Sequence, residues 1–275
     1  MKPVLSYLYL VVGFYTLIAT LLFVFQRSFL YLPDTASPDA TTAISEYGIE
    51  PITLTTSDGL SLRSWWHPSH DPHSRPVVVV LPGNAGHAGY RFPKFAGLME
   101  AGFNVLFLEY RGYGGNPGNP TELGLKQDTA AAIRYLGDQG FPAVQVALYG
   151  ESLGSGLAID QASNKRFAAV VLEAPYTSIA DVAQDHYWFL PARWLTRDRF
   201  DSLSKIKHIS APLLILHGNK DRVINPTHGR RMFAAASEPK AAVFVPGAGH
   251  NNLYESGVGA RVIDFLQHLD KRSAN

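Results

Sequence analysis

Six short apolar runs constrain the fold of this chain most strongly, because none of them alternates with polar residues. A strand with one face in water alternates apolar and polar side chains, whereas a strand buried on both faces of a parallel sheet reads as a continuous apolar run. The runs occupy Val77–Leu81, Val105–Leu108, Val144–Leu148, Ala168–Leu172, Leu213–Leu216 and Ala242–Val245. They predict the buried strands of a parallel sheet.

Helical patterns lie between these runs. Over Thr121–Leu136, Leu125, Thr129 and Ile133 fall on one face, and a final pattern covers Val258–Leu269. Strand–helix alternation of this kind predicts an α/β fold whose central sheet is mostly parallel, doubly wound and flanked by helices.

An antiparallel pair of strands is predicted just upstream. Ile52–Thr56 and Leu60–Trp66 alternate in polarity, and Ser57–Gly59 between them is a turn sequence. A chain of 275 residues can hold one or two domains by length. With the first 32 residues set apart, residues 33–275 fit one α/β domain.

An uncharged apolar run begins the chain. Val4–Phe25 contains 22 residues without a charge, and a helix of that length spans about 33 Å, enough to cross a hydrocarbon core of about 30 Å. Lys2 and Arg27 flank the run. We therefore expect residues 1–32 to be the anchor of a single-pass membrane protein, with residues 4–25 in the membrane.

Two alternatives to an anchor remain open. A secretory signal peptide has an apolar region of about 7–15 residues followed by small residues at a cleavage site, whereas residues 26–31 here are mostly bulky. A buried core helix is the second alternative. The positive charges at the two ends of the run are nearly balanced, with Lys2 and the free amino group on one side and Arg27 on the other. Their small difference favours placing residues 33–275 outside the cytoplasm.

Composition excludes several classes of function. Basic and acidic residues number 24 and 23, so the charge gives no reason to expect a nucleic-acid partner. The chain has no cysteine, which removes disulfides, thiolate catalysis and cysteine-based zinc sites. Its ten histidines show no metal-ligand spacing such as H-E-x-x-H. We therefore expect neither a metal nor another cofactor.

A G-x-S-x-G motif follows one predicted strand directly. Gly150-Glu151-Ser152-Leu153-Gly154 joins the run at Val144–Leu148 to a helical segment. A serine on such a sharp strand-to-helix turn is exposed at the top of the sheet, and the flanking glycines leave room for the chain to cross itself. The alternative is a glycine-rich turn without catalysis. The strand–turn–helix context favours Ser152 as a nucleophile.

A nucleophilic serine needs a base to take its proton. His250 is the best candidate, because it follows the last predicted strand within a glycine-containing loop. His217 at a strand end is more simply structural, and His228 is predicted on a helix surface. His186 and His208 lie between strands, away from any strand end.

The base in turn needs a carboxylate that orients it and stabilises its charged form. Asp221 follows the run at Leu213–Leu216 and completes the chain order Ser, Asp, His. Glu173, at the end of the preceding strand, is the alternative acid. The alternative role for Asp221 is a loop cap or a surface ion pair.

Two backbone N–H groups are expected to bind the negative oxygen of a tetrahedral intermediate. One belongs to Leu153, the residue after the serine. The other is expected from the loop after the first parallel strand, Leu81–Gly86, where we choose Asn84. By itself this loop would be read as a plain glycine and asparagine turn.

Taken together, these motifs make the chain similar to the bud-emergence-type α/β-hydrolases, whose relatives include membrane-anchored α/β-hydrolase domain-containing proteins. The resemblance covers nearly the whole chain. It rests on Gln26-Arg27 with Leu30-Tyr31, Gly83–Gly86, Tyr110–Gly115, Gly118–Glu122, Gly150–Gly154, Asp198–Ser202 and Gly247–Asn251. It implies a triad of Ser152, Asp221 and His250, a short lid, and hydrolysis of ester, thioester or amide bonds. The chain departs from the family pattern at Pro82 and Asn252.

The lid is expected at about residues 175–211, a segment rich in aromatic side chains. They could form the segment's own core or an apolar wall for acyl chains. We expect hydrolysis of carboxylic esters or thioesters of small acylated or lipid-like substrates, through an acyl-enzyme. One alternative is a serine aminopeptidase or acylpeptidase, for which Glu173, Asp181 and Asp185 could hold a peptide amine. The other is a hydrolase-fold binding protein without catalysis.

Overall fold

Eight strands form the central sheet of the computed structural model, which describes residues 2–269. In chain order they are β2 (Glu50–Thr55), β3 (Ser61–His67), β4 (Val77–Leu81), β6 (Val105–Phe107), β7 (Val146–Glu151), β8 (Ala169–Glu173), β9 (Leu213–Gly218) and β10 (Lys240–Val245). Two further strands, β1 (Leu32–Pro33) and β5 (Ala85–Gly86), pair with each other in parallel outside this sheet.

The order of the strands across the sheet is β10-β9-β8-β7-β4-β6-β3-β2. The six strands from β10 to β6 run parallel, while β2 and β3 are antiparallel to each other and β3 is antiparallel to β6. Each predicted apolar run corresponds to one of the six parallel strands. The predicted α/β-hydrolase fold is therefore confirmed.

Ten α-helices are described between residues 2 and 269. They are α1 (Lys2–Leu30), α2 (Ala40–Tyr47), α3 (Phe92–Glu100), α4 (Glu122–Asp138), α5 (Leu153–Ala162), α6 (Ile179–His186), α7 (Ala192–Leu195), α8 (Leu203–Ile206), α9 (Pro226–Ala235) and α10 (Val258–Gln267). One apolar core forms where α4, α5 and α9 pack on the sheet, and a second where α3 and α10 cover its other face. The sheet is thus buried on both sides, as a parallel sheet requires.

One predicted strand is less buried than its sequence indicated. Five of the six residues of β10 are only partly buried, and Val245 alone is fully buried. The reason is position, because β10 pairs only with β9 and lies at the edge of the sheet. The prediction of burial on both faces was wrong for this strand.

Helix α1 continues five residues beyond the predicted end of the apolar run, to Leu30. Within its segment Ser6–Leu30, the most apolar stretch of 18 residues has a mean hydropathy of 2.3 and is not buried against the rest of the protein. It is therefore a candidate transmembrane segment by length and composition, criteria that a signal sequence also meets. Its lack of burial argues against the alternative of a core helix.

The tight contact between β4 and the start of α5 gives a test of this packing. A Cβ placed on Gly154 would overlap the carbonyl oxygen of Leu81. We expect Gly154→Ala to destabilise the protein by about 1–3 kcal/mol, because backbone must move to admit the methyl group. The measurement is the thermal midpoint of the full chain in detergent micelles.

Gly137 in α4 is the matched control. A Cβ there would have no atom within 4 Å, so Gly137→Ala should raise stability by about 0.5–1 kcal/mol through helix propensity. Equal midpoints for the two variants would contradict the predicted crowding at Gly154.

Candidate active site

Ser152 lies on a strained turn between β7 and α5. Its backbone has φ 49° and ψ −112°, in a region that residues other than glycine rarely adopt. The two flanking glycines permit this turn, because a Cβ on Gly150 would lie 2.6 Å from the carbonyl oxygen of Gly154. Strand and helix therefore cross closely enough to hold the hydroxyl at the end of the sheet, the geometry described for a nucleophile elbow.

A series of hydrogen bonds links Ser152 to two other predicted residues. The Nε2 atom of His250 lies 3.1 Å from the Oγ of Ser152, and its Nδ1 lies 2.7 Å from Oδ2 of Asp221. The side chain of Asp221 is buried, whereas that of His250 is 12% exposed. The structure therefore brings together the three side chains that the sequence proposed as nucleophile, base and acid, at distances that proton transfer requires.

Asp221 is held in place from both sides. Its Oδ1 accepts hydrogen bonds from the backbone N–H groups of Val223 and Ile224, at 2.8 and 2.9 Å. Burial would raise the pKa of this carboxyl group, but hydrogen bonding to His217 and His250 holds the pKa well below its usual range. The charge that can stabilise a protonated His250 is therefore retained until the pH falls through that lowered pKa.

The rival histidines make other contacts. His217 is buried on the far side of Asp221, with Nε2 2.9 Å from the Ile224 carbonyl oxygen and 3.4 Å from Oδ2 of Asp221. The Nε2 of His186 lies 2.8 Å from the carbonyl oxygen of Val223, and His208 is exposed on the surface.

The prediction that His228 lies on a helix surface was wrong. Its side chain is buried, with Nδ1 2.8 Å from the Oγ1 of Thr177 and Nε2 3.0 Å from the carboxylate of Asp185. His228 is buried because α9 packs against the segment after β8. The sequence pattern of α9 by itself does not indicate this contact.

Glu173, the alternative acid, belongs to a different network. Its carboxylate accepts hydrogen bonds from Lys94, at 2.8 and 2.9 Å, and from the hydroxyl of Tyr149. Burial raises its pKa, although the Lys94 ammonium opposes that shift. Its partners are therefore a lysine and a tyrosine, and Asp221 is the acid beside His250.

Lys94 and Glu151 were not singled out from the sequence. Lys94 also binds Glu151 at 3.1 Å, and Arg91 binds the other oxygen of Glu151 at 3.0 Å. Burial opposes ionisation of Glu151, yet Lys94 and Arg91 lower its pKa to about 2. The variable residue of the G-x-S-x-G motif thus ties the turn to α3 and the segment before it. The only sequence signal for this contact was the charge of Glu151 beside the nucleophile.

The predicted oxyanion loop lies next to the serine. A Cβ on Gly83 would be 3.5 Å from the Cβ of Ser152. The carbonyl oxygen of Asn84 accepts hydrogen bonds from the Leu32 N–H and the Tyr113 hydroxyl, at 2.9 and 2.8 Å, and its side chain donates to the Leu30 carbonyl oxygen at 2.7 Å. The end of α1 therefore helps to fix this loop.

The segment predicted as a lid, residues 175–211, contains α6, α7 and α8. Its aromatic residues serve two different environments. Tyr176 and Phe200 are buried in the core, whereas Trp188 and Trp194 are 79% and 87% exposed. Tyr176 and Phe200 thus join the main core and not a separate core of the lid, and the apolar wall for acyl chains stays a prediction. Within residues 2–269, no group of three or more histidine, aspartate or glutamate side chains could hold a metal ion.

Comparison with known proteins places this geometry in a family. The model of a family described as serine aminopeptidase, S33, matches residues 72–205 and 200–257. An uncharacterized protein of Mycobacterium tuberculosis is 39% identical over 228 residues, covering 82% of this chain and 81% of that protein. Alpha/beta hydrolase domain-containing protein 17B of Homo sapiens is 34% identical over 188 residues, covering 66% of this chain and 62% of that protein.

A solved structure supports the same fold. The structure of an esterase from Pyrococcus furiosus has a TM-score of 0.71 at 19% sequence identity, covering 86% of this chain and 98% of the esterase chain. At this identity the likeness shows the fold. The family match, in contrast, spans more than half of the sequence, and the chain therefore belongs to the serine aminopeptidase S33 family and is an α/β-hydrolase enzyme.

Proposed function

We propose that this chain is a membrane-anchored serine hydrolase that cleaves carboxylic ester or thioester bonds of acylated or lipid-like substrates. The observation that carries the proposal is the hydrogen-bonded series from Ser152 through His250 to Asp221, at 3.1 and 2.7 Å. An unassisted serine hydroxyl is a weak nucleophile, and this series supplies both the base and the group that orients it.

The reaction would proceed in two halves. His250 Nε2 takes the proton of Ser152 as Oγ attacks the substrate carbonyl carbon, and the resulting imidazolium lies beside the Asp221 carboxylate. His250 then gives this proton to the leaving alcohol or thiol, which leaves an acyl-enzyme on Ser152. Water, activated by the same ring, releases the carboxylic acid and restores the serine.

The negative oxygen of each tetrahedral intermediate is assigned to the backbone N–H groups of Leu153 and Asn84. Leu153 begins α5, so its N–H points out of the helix N-terminus, where negative charge is favoured. Asn84 uses its carbonyl oxygen and side chain to hold the loop, which supports its backbone N–H as the group that faces substrate. At Pro82, where the family that the chain resembles usually has histidine, the carbonyl oxygen accepts a hydrogen bond from the Tyr110 hydroxyl at 2.9 Å.

Membrane anchoring by residues 1–32, the arrangement that the resemblance to membrane-anchored α/β-hydrolase domain-containing proteins implies, forms part of this proposal. The support is the unburied, uncharged face of α1 together with the exposed side chains of Trp188 and Trp194 on the lid. Tryptophan is favoured at the boundary between a membrane and water. The placement of residues 33–275 outside the cytoplasm stays a prediction from the charges that flank the helix.

An aminopeptidase or acylpeptidase activity is the second candidate, and the description of the matching family favours it. The acidic residues that could hold a peptide amine are, however, engaged elsewhere. Glu173 binds Lys94, Asp181 binds Arg193 at 2.7 Å, and Asp185 binds His228. A matched pair of an acyl ester and an aminoacyl arylamide separates the candidates: faster cleavage of the arylamide would overturn the ester proposal.

Replacement of the nucleophile tests whether the chain is a catalyst. We expect Ser152→Ala to abolish covalent labelling by a fluorophosphonate probe and to lower ester turnover by about 10⁴-fold or more, because no other group can form the acyl-enzyme. Ser155→Ala, in the first turn of α5, is the control and should still be labelled, because within residues 2–269 the Ser155 hydroxyl hydrogen-bonds only to the backbone oxygen of Ser152. Absence of labelling in correctly folded wild-type protein would favour the non-catalytic binding protein.

Replacement of the acid tests the role of Asp221. The oxygen of an asparagine side chain would be kept by the N–H groups of Val223 and Ile224, so Asp221→Asn would present its NH₂ group to His250. The ring would then take the tautomer that cannot accept the Ser152 proton, and kcat should fall by about 10³–10⁴-fold. Asp185→Asn, in the His228–Asp185 pair, should change kcat less than about threefold. Similar losses in the two variants would contradict the assignment.

Membrane insertion is tested by charge placement. Wild-type protein should stay in the membrane fraction after an alkaline carbonate wash, because the uncharged apolar segment would be exposed to water if it left the bilayer. The double variant Gly13→Arg, Leu17→Arg should be released, since each arginine near the centre of the span costs about 2.5–3.5 kcal/mol. Recovery of a shortened soluble wild-type protein would instead identify the segment as a cleaved signal sequence.

A further inference from the structure

A cavity of about 340 Å³ lies between α1 and the lid. Large apolar side chains from both sides line it, among them Leu22, Phe23 and Phe29 from α1, and Val182, Tyr187 and Leu190 from the lid. Its volume falls within the range of ligand pockets in proteins. Neither the helix nor the lid could form this cavity alone.

Two residues of the cavity wall contact the proposed catalytic residues. Leu30, in the wall, accepts the hydrogen bond from the side chain of Asn84. Val223, also in the wall, donates its backbone N–H to Asp221. One wall residue therefore lies between the cavity and the oxyanion loop, and another between the cavity and the acid of the proposed triad.

Specific polar contacts fix the helix against the lid. Arg27 makes two hydrogen bonds to the Asp198 carboxylate, at 2.7 and 3.1 Å. The side chain of Gln26 donates to the Leu195 carbonyl oxygen at 3.2 Å and accepts from the Arg197 N–H at 2.7 Å. These contacts hold the two walls at a set distance, so the cavity is formed before any ligand arrives.

The polar side chains in the wall are already paired within the protein. Gln26 bonds to lid backbone, His186 to the Val223 carbonyl oxygen, and the Thr196 hydroxyl to the Ala192 carbonyl oxygen at 2.8 Å. The wall therefore offers few unpaired polar groups to a sugar, nucleotide or peptide, and it is partly open to solvent, since Phe29 is 58% exposed. An acyl chain needs no such groups and gains by leaving water.

We propose that this cavity binds the acyl chain of the substrate and that the N-terminal helix is one wall of the substrate-binding site. The inference rests on the proposed ester or thioester hydrolysis and adds its acyl-chain selectivity. The acyl chain lies between α1 and the lid, with its carboxyl end toward Ser152. A helix that lies in the bilayer thus leads a lipid-like substrate from the membrane to the nucleophile.

Two adjacent leucines of α1 provide the test. Leu22 lines the cavity, whereas Leu21 is exposed and lies outside its lining. Tryptophan at position 22 fills space that the chain would use, and each methylene displaced from an apolar contact lowers affinity about fourfold. The ratio of kcat/KM for a dodecanoyl to a butanoyl ester, measured on the full chain in detergent micelles, should fall at least about tenfold in Leu22→Trp. Leu21→Trp should keep the wild-type ratio.

A second variant, in the lid, shows whether the effect of Leu22→Trp comes from the cavity or from a local disturbance of α1. Ala183→Phe fills the same cavity from α6, and it should lower the ratio in the same direction. Wild-type ratios in both Leu22→Trp and Ala183→Phe would overturn the acyl-chain site while leaving the ester activity intact.

Covalent labelling separates failure of the site from failure of the proposed function. Fluorophosphonates with long and short alkyl chains react with an active serine whatever bond the enzyme cleaves. If wild-type protein is labelled but hydrolyses neither ester, the proposed function fails. The labelling rates then test the acyl-chain site independently. Faster labelling by the long-chain probe, lost in both Leu22→Trp and Ala183→Phe, would support the site. Equal rates for the two probes in wild-type protein would overturn it.

Discussion

The close crossing of β7 and α5 at Ser152 is the constraint on which the rest of the site depends. A residue in this backbone region costs about 1–3 kcal/mol and persists only where its surroundings determine it. Here the Ser152 N–H donates to the Glu173 carbonyl oxygen at 2.9 Å, and the Tyr176 hydroxyl donates to the Leu153 carbonyl oxygen at 3.0 Å. The next strand and the start of the lid therefore hold the turn in its strained form.

Beneath this turn, charge is balanced in the protein interior. Glu151 and Glu173 lie on neighbouring strands, and Lys94 bridges them with Arg91 beside it. Without these cations, two buried carboxylates next to each other would both be driven toward the neutral form. Because Lys94 pairs with both carboxylates and Arg91 pairs with Glu151, the negative charges of Glu151 and Glu173 are neutralised locally. They therefore repel the developing negative charge on the oxygen of the intermediate less. These ion pairs also leave neither Glu151 nor Glu173 free to bind a peptide amine, which is consistent with the proposed ester substrates.

The sequence predicted most of the fold and the residues of the site, because both leave local signals. Unalternated apolar runs mark buried parallel strands, and the strand ends carry Ser152, Asp221 and His250. What could not be predicted depends on neighbours distant in the chain. The burial of His228 is set by Thr177 and Asp185, and the exposure of β10 by its place at the sheet edge. No periodicity within one segment encodes either relation.

The contacts of α1 with the rest of the protein bear on whether the helix is kept or discarded. The side chain of Asp198 is only 7% exposed and pairs with Arg27, at the end of the helix. Loss of the helix would remove this ion pair and expose the carboxylate to water. It would also remove one wall of the apolar cavity and the Leu30 carbonyl oxygen to which Asn84 is bound. Cleavage of the segment would remove all of these contacts, and they therefore support the proposal that the helix remains, as an anchor and as one wall of the proposed substrate-binding site.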